Sequence, residues 1–272
     1  MRVGFIGLGS QGGPMAGRII DAGFPMTLWA RRPASLEPFA DTAAAVADSP
    51  AELAAASDLV CLCVVGDADI EDVATGEHGV LSGLEPGGVI AVHSTVHPKT
   101  CHRLAEIAAA QHVSVIDAPV SGGAPAVAEG RLLVMVGGEA DVVERCRPVF
   151  ASYADPIVHL GELGSGQTTK LLNNLLFTAN LGTAASTLAL GESLGVLPDR
   201  LTEVISRGSG NSFALSVLGG DTADLDRLAD MAGTLLRKDA RLLADLTDQA
   251  AVTGGAVLDA ADATLVLMKH PR

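Results

Sequence analysis

Lys170 and Asn174 stand four residues apart within Leu163–Glu192, LGSGQTTKLLNNLLFTANLGTAASTLALGE. That spacing puts both on one face of a helix. A lysine in apolar surroundings is costly to bury unless it has a partner or a task. From Leu171 to Gly191 no residue is charged, in a chain that is 18% charged, and the chain carries four lysines against fourteen arginines. Where arginine is the usual cation, a lysine on an apolar face points to a titratable amine, the group a proton transfer needs. The plainer alternative is a lysine snorkelling from the helix end. Asn173, Asn174, Thr178, Asn180, Thr183, Ser186 and Thr187 make the run too polar for a membrane span, so a buried helix between domains is expected.

Two further groups could bind anions. Asp117-Ala-Pro-Val-Ser121-Gly122-Gly123 offers unhindered N–H groups beside a hydroxyl, which suit a carboxylate; a turn that merely needs glycine is the alternative. Near the start, Val3–Ile6 leads into Gly7-Leu8-Gly9-Ser10-Gln11-Gly12 and then the helical pattern Pro14–Ile20. Strand, GxGxxG and helix in that order point to dinucleotide binding rather than an ordinary glycine turn: Gly7 permits the turn, Gly9 the approach of a pyrophosphate, Gly12 close helix–strand packing. The second strand, Met26–Ala30, should end in an acid if it holds the 2′-hydroxyl of NAD. It ends in Arg31-Arg32, which suits a 2′-phosphate and hence NADP, with NAD still possible; two solvated surface arginines are the bland reading.

The elements that must position these residues alternate. Strand patterns at Leu59–Val65, Val89–His93, Val113–Ile116, Leu132–Val136 and Ile157–Leu160 are interleaved with helical patterns at Ala43–Ala56, Thr100–Gln111 and Ala140–Phe150. This predicts an α/β fold with an N-terminal, mostly parallel, doubly wound Rossmann-type sheet, whose binding residues sit at strand C-termini: Val64 and Val65, Ser94 and Thr95, and Ala118 onward. After Gly195 the patterns are helical, at Pro198–Arg207, Thr222–Ala250 and Gly255–Lys269. The expected domains are therefore 1–163, binding the dinucleotide, and 164–272, all-α, for substrate and oligomerisation, joined by the long helix.

Composition narrows the partners. With 272 residues and 48% hydrophobic content there is ample core, and a net charge of −14 argues against nucleic acid or an anionic membrane. Cys61, Cys63, Cys101 and Cys146 have neither disulfide-scaffold nor zinc spacing, so free thiols, no metal and a cytoplasmic setting are expected. The opening MRVGFIGLG fits a first strand better than a signal peptide.

Taken together, GFIGLGxxGxPMA at Gly4–Ala16, DAPVSGGxxxAxxGxLxxMVGG at Asp117–Gly138, GxGxxxKLxNN at Gly164–Asn174 and the late pair Lys238-Asp239 resemble the β-hydroxyacid dehydrogenase family. With Asp58–Val73 and Ser94-Thr95, the resemblance covers nearly the whole chain. It implies Lys170 as catalytic acid/base and Asn174 as its neighbour holding substrate. Ser121, Gly122 and Gly123 would lie at the substrate carboxylate, and Val64, Val65 and Thr95 along the cofactor, with Lys238 reaching cofactor or substrate. Burial would lower the lysine's pKa toward the range a general base requires. Two departures stand out: Gln11 where the family commonly has methionine, and Val64-Val65 where Leu-Pro is usual. Phe213, in Gly210-Asn-Ser-Phe213, is the large residue expected in the helical domain's part of the pocket. The implied reaction is NADP-dependent interconversion of a short β-hydroxyacid and its semialdehyde or keto form, the substrate being a small anion. Imine reductases share a related fold but usually lack the lysine; a non-catalytic dinucleotide-binding protein would not need Lys170, Asn174 and Ser121. The uncharged helix also offers more apolar surface than a small domain covers, so a homodimer or homotetramer is expected.

Overall fold

The structure, a computed structural model, describes residues 1–218 and 225–272. They form two compact units, Met1–Lys170 and Leu171–Arg272.

The first unit is built on strands β1 (Val3–Ile6), β2 (Met26–Trp29), β3 (Ala45–Val46), β4 (Leu59–Leu62), β5 (Val89–Val92), β6 (Ser114–Asp117), β7 (Val120–Ser121), β8 (Leu132–Gly137) and β9 (Ala154–Gly161). Their order is β3-β2-β1-β4-β5-β6-β8-β7, with β9 also pairing β8. The pairings are parallel except those of β8 with β6 and with β7. Strands β1, β4 and β5 are buried at every position, as a sheet covered on both faces requires. Alternation then divides the core. Phe5, Cys61 and Ala91 join the layer under helices α1 (Gly12–Asp21) and α6 (Ala140–Phe150). Ile6, Leu62 and Val92 join the layer under α2 (Pro50–Ala55), α3 (Asp67–Thr75) and α4 (Pro98–Ala109). This is the doubly wound sheet that the alternating patterns predict. Cys61 and Cys63 belong to the same layer, and all four cysteines are free thiols.

Two local expectations give way. The segment 43–49 is not helical: Ala45 and Val46 pair with Thr27 and Leu28 of β2, so sheet pairing overrides the helix propensity of the alanines. The helix starts only at Pro50, because Ser49 Oγ accepts the Glu52 N–H (3.1 Å) while Glu52 Oε2 accepts the Asp48 N–H (2.7 Å), with proline at the first helical position. Helix α3 was not anticipated, although Ile70, Val73 and Ala74 repeat at helical spacing and are buried.

His93 sits at the end of β5 inside this core. Its ring stacks on Phe5 (centroids 6.4 Å apart) and meets Phe150 and Tyr153 edge-on. Nδ1 lies 2.7 Å from the Ala118 carbonyl, which can only accept, so Nδ1 carries the proton and Nε2 accepts from the Tyr153 hydroxyl at 3.3 Å. Burial pushes its pKa from 6.5 down to about 4, against the smaller opposing effect of the Ala118 bond. The folded pKa is below the unfolded one, so the unfolded chain binds more protons between those values. Stability is therefore full above pH 6.5 and falls as pH drops toward 4, by about 3 kcal/mol in all. Urea titrations at pH 7 and pH 4 should show that pH-linked loss shrinking by this amount in His93→Gln, which has no proton to gain.

The second unit begins within α7 (Ser165–Ser193) and continues with α8 (Pro198–Arg207), α9 (Phe213–Leu218), α10 (Leu225–Leu228), a wide π turn at Ala229–Gly233, α11 (Thr234–Ala250) and α12 (Gly255–Leu267). Among its described residues there is no strand. The helix expected over Thr222–Ala250 begins outside the described residues; its described part, 225–250, is helical throughout and widens to π geometry at Ala229–Gly233. Helix α7 is not buried all round, as the sequence suggested. Leu171, Leu175, Ala179 and Leu181 enter the core, while Leu172 (51%) and Leu176 (53%) face outward. Its hydroxyls are satisfied locally: Thr178 donates to the Asn174 carbonyl (2.8 Å) and Thr187 to that of Thr183 (2.7 Å). Among the described residues no helix is long and apolar enough to cross a membrane.

Candidate active site

Three loops leave neighbouring strand ends in the first unit: Gly7–Gln11 after β1, Cys63–Gly66 after β4 and His93–His97 after β5. Gly7 has φ +101°, and a Cβ there would overlap the Cys63 carbonyl; one at Gly12 would overlap the Gly7 carbonyl. Gly9 differs, because a Cβ there would meet nothing within 4 Å. The turn is thus tight where it packs on β4 and open at its middle glycine, the side a pyrophosphate would approach before the N-terminus of α1. These residues fit a dinucleotide. Gln11, preceding α1, turns its amide Nε2 onto Met15 Sδ at 3.5 Å.

The β4 and β5 ends are tied together: the Val64 N–H donates to Ser94 Oγ at 2.8 Å, and Ser94 Oγ contacts the Leu62 carbonyl at 3.4 Å. Val65 is 71% exposed and Thr95 partly buried. Ser121 closes β7, opposite Leu133 of β8, and is followed by Gly122 (φ +127°) and Gly123 (φ +68°), which opens helix α5 (Gly123–Ala128). Both glycines occupy backbone conformations that side chains rarely adopt. Arg31, beyond β2, places Nη2 3.1 Å from both Asp69 and Asp72 of α3. Arg32 is exposed and has no ion pair among the described residues.

The root of α7 is held by two buried side chains that the sequence did not single out. Asp117 accepts the N–H groups of Gly164 (2.7 Å) and Gln167 (2.6 Å). A carboxylate so placed satisfies N–H groups that a helix start leaves without partners and faces the positive end of the helix dipole. Burial raises its pKa, and these two N–H bonds oppose the rise. Glycine is needed around it: a Cβ on Gly166 would lie 2.8 Å from Asp117 Oδ2, and one on Gly137 would overlap Oδ1. Gln167 then locks α7 to the β5 loop, its Oε1 accepting the Val96 N–H (3.1 Å) and its Nε2 donating to the Ser94 carbonyl (2.8 Å). Lys170, one turn on, is 8% exposed. The clamp on the preceding turn fixes the helical register from which the lysine projects.

In the second unit Asn174 donates from Nδ2 to Asp239 Oδ2 at 2.6 Å and accepts from Asn173 at 3.1 Å. The carboxylate can only accept, which fixes the orientation of the amide. Asp239 is 5% exposed, and its Oδ1 lies 3.2 Å from Lys238 Nζ. Among the described residues Oδ1 receives no directed hydrogen bond, so that contact is an ion pair of close charges. The structure therefore brings Asn174, Lys238 and Asp239 together; the Lys-Asp dipeptide was visible in sequence, its link to Asn174 was not. Phe213 is 72% exposed, its ring 6.0 Å from that of Phe177.

The fold and the glycine turn define a nicotinamide-dinucleotide-binding oxidoreductase, and comparison with known proteins agrees. Residues 2–161 match the model of the NAD-binding domain of 6-phosphogluconate dehydrogenase. Residues 164–265 match that of the NAD-binding domain of NADP-dependent 3-hydroxyisobutyrate dehydrogenase. The chain is 33% identical over 229 residues to 2-(hydroxymethyl)glutarate dehydrogenase of Eubacterium barkeri, covering 82% of this chain and 76% of that one. It is also 33% identical over 215 residues to 3-hydroxyisobutyrate dehydrogenase of Pseudomonas aeruginosa, covering 79% and 72%. A solved structure of Mycobacterium tuberculosis 3-hydroxyisobutyrate dehydrogenase with L-serine superposes with TM-score 0.86 at 27% identity, covering 99% of this chain and 94% of that one. The chain belongs to the β-hydroxyacid dehydrogenase family and is an NAD(P)-dependent hydroxyacid oxidoreductase.

Proposed function

We propose that the enzyme interconverts a short, anionic β-hydroxyacid and its semialdehyde or keto form, with NADP as hydride carrier and Lys170 as the general acid/base. The observation that carries this reading is a lysine 8% exposed on a helix whose first turn is clamped by Asp117 and Gln167. The dinucleotide, when bound, supplies nicotinamide C4 as hydride acceptor or donor. In oxidation the Lys170 amine takes the hydroxyl proton as hydride leaves the same carbon; in reduction its ammonium returns a proton to the carbonyl oxygen. Gly7, Leu8, Gly9, Ser10, Gln11 and Gly12 would hold the pyrophosphate end, and Val64, Val65, Thr95 and Lys238 the rest of the cofactor. Ser121, Gly122 and Gly123 would receive the substrate carboxylate through a hydroxyl and two sterically open N–H groups. Asn174, its amide oriented by Asp239, would hold the substrate beside Lys170, and Phe213 would line the substrate side.

NADPH consumption against a panel of short semialdehydes and imines tests this reading. Turnover with semialdehydes is expected, whereas turnover confined to imines favours an imine reductase and silence on both favours a binding protein without catalysis. The NADP preference rests on Arg31 and Arg32 standing where an acid would hold a 2′-hydroxyl. Arg31→Asp should weaken NADP relative to NAD by about 1.5–3 kcal/mol, the value of a hydrogen bond to a charged group, read from the ratio of kcat/KM. A parent enzyme that already works better with NAD would refute the preference. Self-association into a homodimer or homotetramer is supported by Leu172, Leu176 and Leu190, exposed on α7, and Leu194, exposed just after it. Light scattering showing a monomer at micromolar concentration would overturn that.

A further inference from the structure

We infer that Asp69 and Asp72 set the enzyme's discrimination between phosphorylated and unphosphorylated dinucleotides. The inference rests on the proposed dinucleotide site, with Arg31 at its ribose end. Arg31 follows β2, and the two acids lie on α3, which follows β4. Strands β2 and β4 flank β1, whose end carries the glycine turn. The contacts from Arg31 Nη2 to Asp69 Oδ1 and Asp72 Oδ2, each 3.1 Å, therefore form a clasp across the end of β1, where the adenosine half of a dinucleotide lies in such sheets. Among the described contacts only Nη2 takes part, so the Nε–H and the two Nη1–H donors of the guanidinium can still turn to a phosphate.

The charges decide the consequence. Two guanidiniums alone would present +2 to an incoming 2′-phosphate. With Asp69 and Asp72 beside Arg31, the four side chains sum to zero. The side chains are 60% (Arg31), 29% (Asp69) and 70% (Asp72) exposed, so the clasp is screened and opens easily. It does not block the phosphate, but both carboxylates remain close enough to repel a dianion. A neutral 2′-hydroxyl feels no such repulsion. The acids thus hold down a preference for NADP that the arginines would otherwise make steep, leaving NAD usable.

The test is the double variant Asp69→Asn/Asp72→Asn in the full chain, with each single variant alongside. Titration of the fluorescence of Trp29, the sole tryptophan and the last residue of β2, with NADP and with NAD gives both dissociation constants. The affinity ratio for NADP over NAD should rise about tenfold in the double variant, the scale of two screened charges acting on a dianion. Each single variant should give part of that. Glu85→Gln/Glu106→Gln removes the same net charge from exposed positions elsewhere and should leave the ratio where it was. An unchanged ratio in the Asp double variant overturns the inference, and a fall shows instead that the acids position Arg31 for the phosphate. Preference of the parent for NAD would defeat the NADP reading alone, because the shift between parent and variant still reports on the acids. If neither dinucleotide binds the parent, both fall.

Discussion

Lys170→Arg should fold, bind NADP with nearly unchanged affinity, and lose about two to four orders of magnitude in kcat, the usual share of general acid–base catalysis. Arginine keeps the positive charge but holds its proton throughout the accessible pH range, so only the proton transfer is removed. Lys170→Ala should fail to a similar degree, and an added small amine should restore part of its rate. Asn174→Ala separates positioning from proton transfer: KM should rise as kcat falls, since that side chain would hold the substrate and its loss also leaves the buried Asp239 without its 2.6 Å donor. Near-normal turnover in Lys170→Arg would end the proposal for this residue and move attention to Lys238.

The second large effect concerns stability. Asp117→Asn places an amide NH2 against one of two backbone N–H groups that now point at carboxylate oxygens, at 2.7 and 2.6 Å. One charge-assisted bond is lost, and the remaining N–H is buried without an acceptor, so about 3 kcal/mol of unfolding free energy should disappear. Burial already raises this carboxyl's pKa, which offsets some of the gain from ionisation and argues against a larger figure. Urea denaturation measures it directly. The same variant should lower kcat more than it raises KM, because the clamp sets the register of Lys170 rather than touching a ligand. Wild-type stability in Asp117→Asn would show that the two bonds contribute little.

What the sequence disclosed follows from distance along the chain. Strand, glycine turn and first helix occupy consecutive residues, so their chemistry is written in one short segment. The Lys170-Asn174 spacing is likewise internal to one helix. Asp117 could not be read in this way: its partners are backbone N–H groups 47 and 50 residues away, and a backbone group carries no residue type to notice. The Arg31–Asp72 pair spans 41 residues and joins the loop after β2 to helix α3 after β4, so the arginine was visible as a candidate site residue while the acids beside it were not. The alanines at 43–45 misled for a different reason, since intrinsic helix preference is weak beside a free strand edge on β2. Helix α7 departs from a fully buried helix for a reason of composition: its surface is uncharged, yet the hydroxyls of Thr183, Thr187 and Ser193, which bond their own helix, let part of that surface face outward.

The clamp at the root of α7 also bears on how such an enzyme acquires new substrates. The described bonds that grip that first turn come from the first unit: the Asp117 carboxylate, the Ser94 carbonyl and the Val96 N–H. The turn before Lys170, the proposed proton-transfer residue, is thus gripped by groups at the ends of β5 and β6. On the proposed roles, mutational libraries confined to the second unit should sample new substrate contacts with that clamp intact. On that reading chemistry and selectivity are inherited as separable traits.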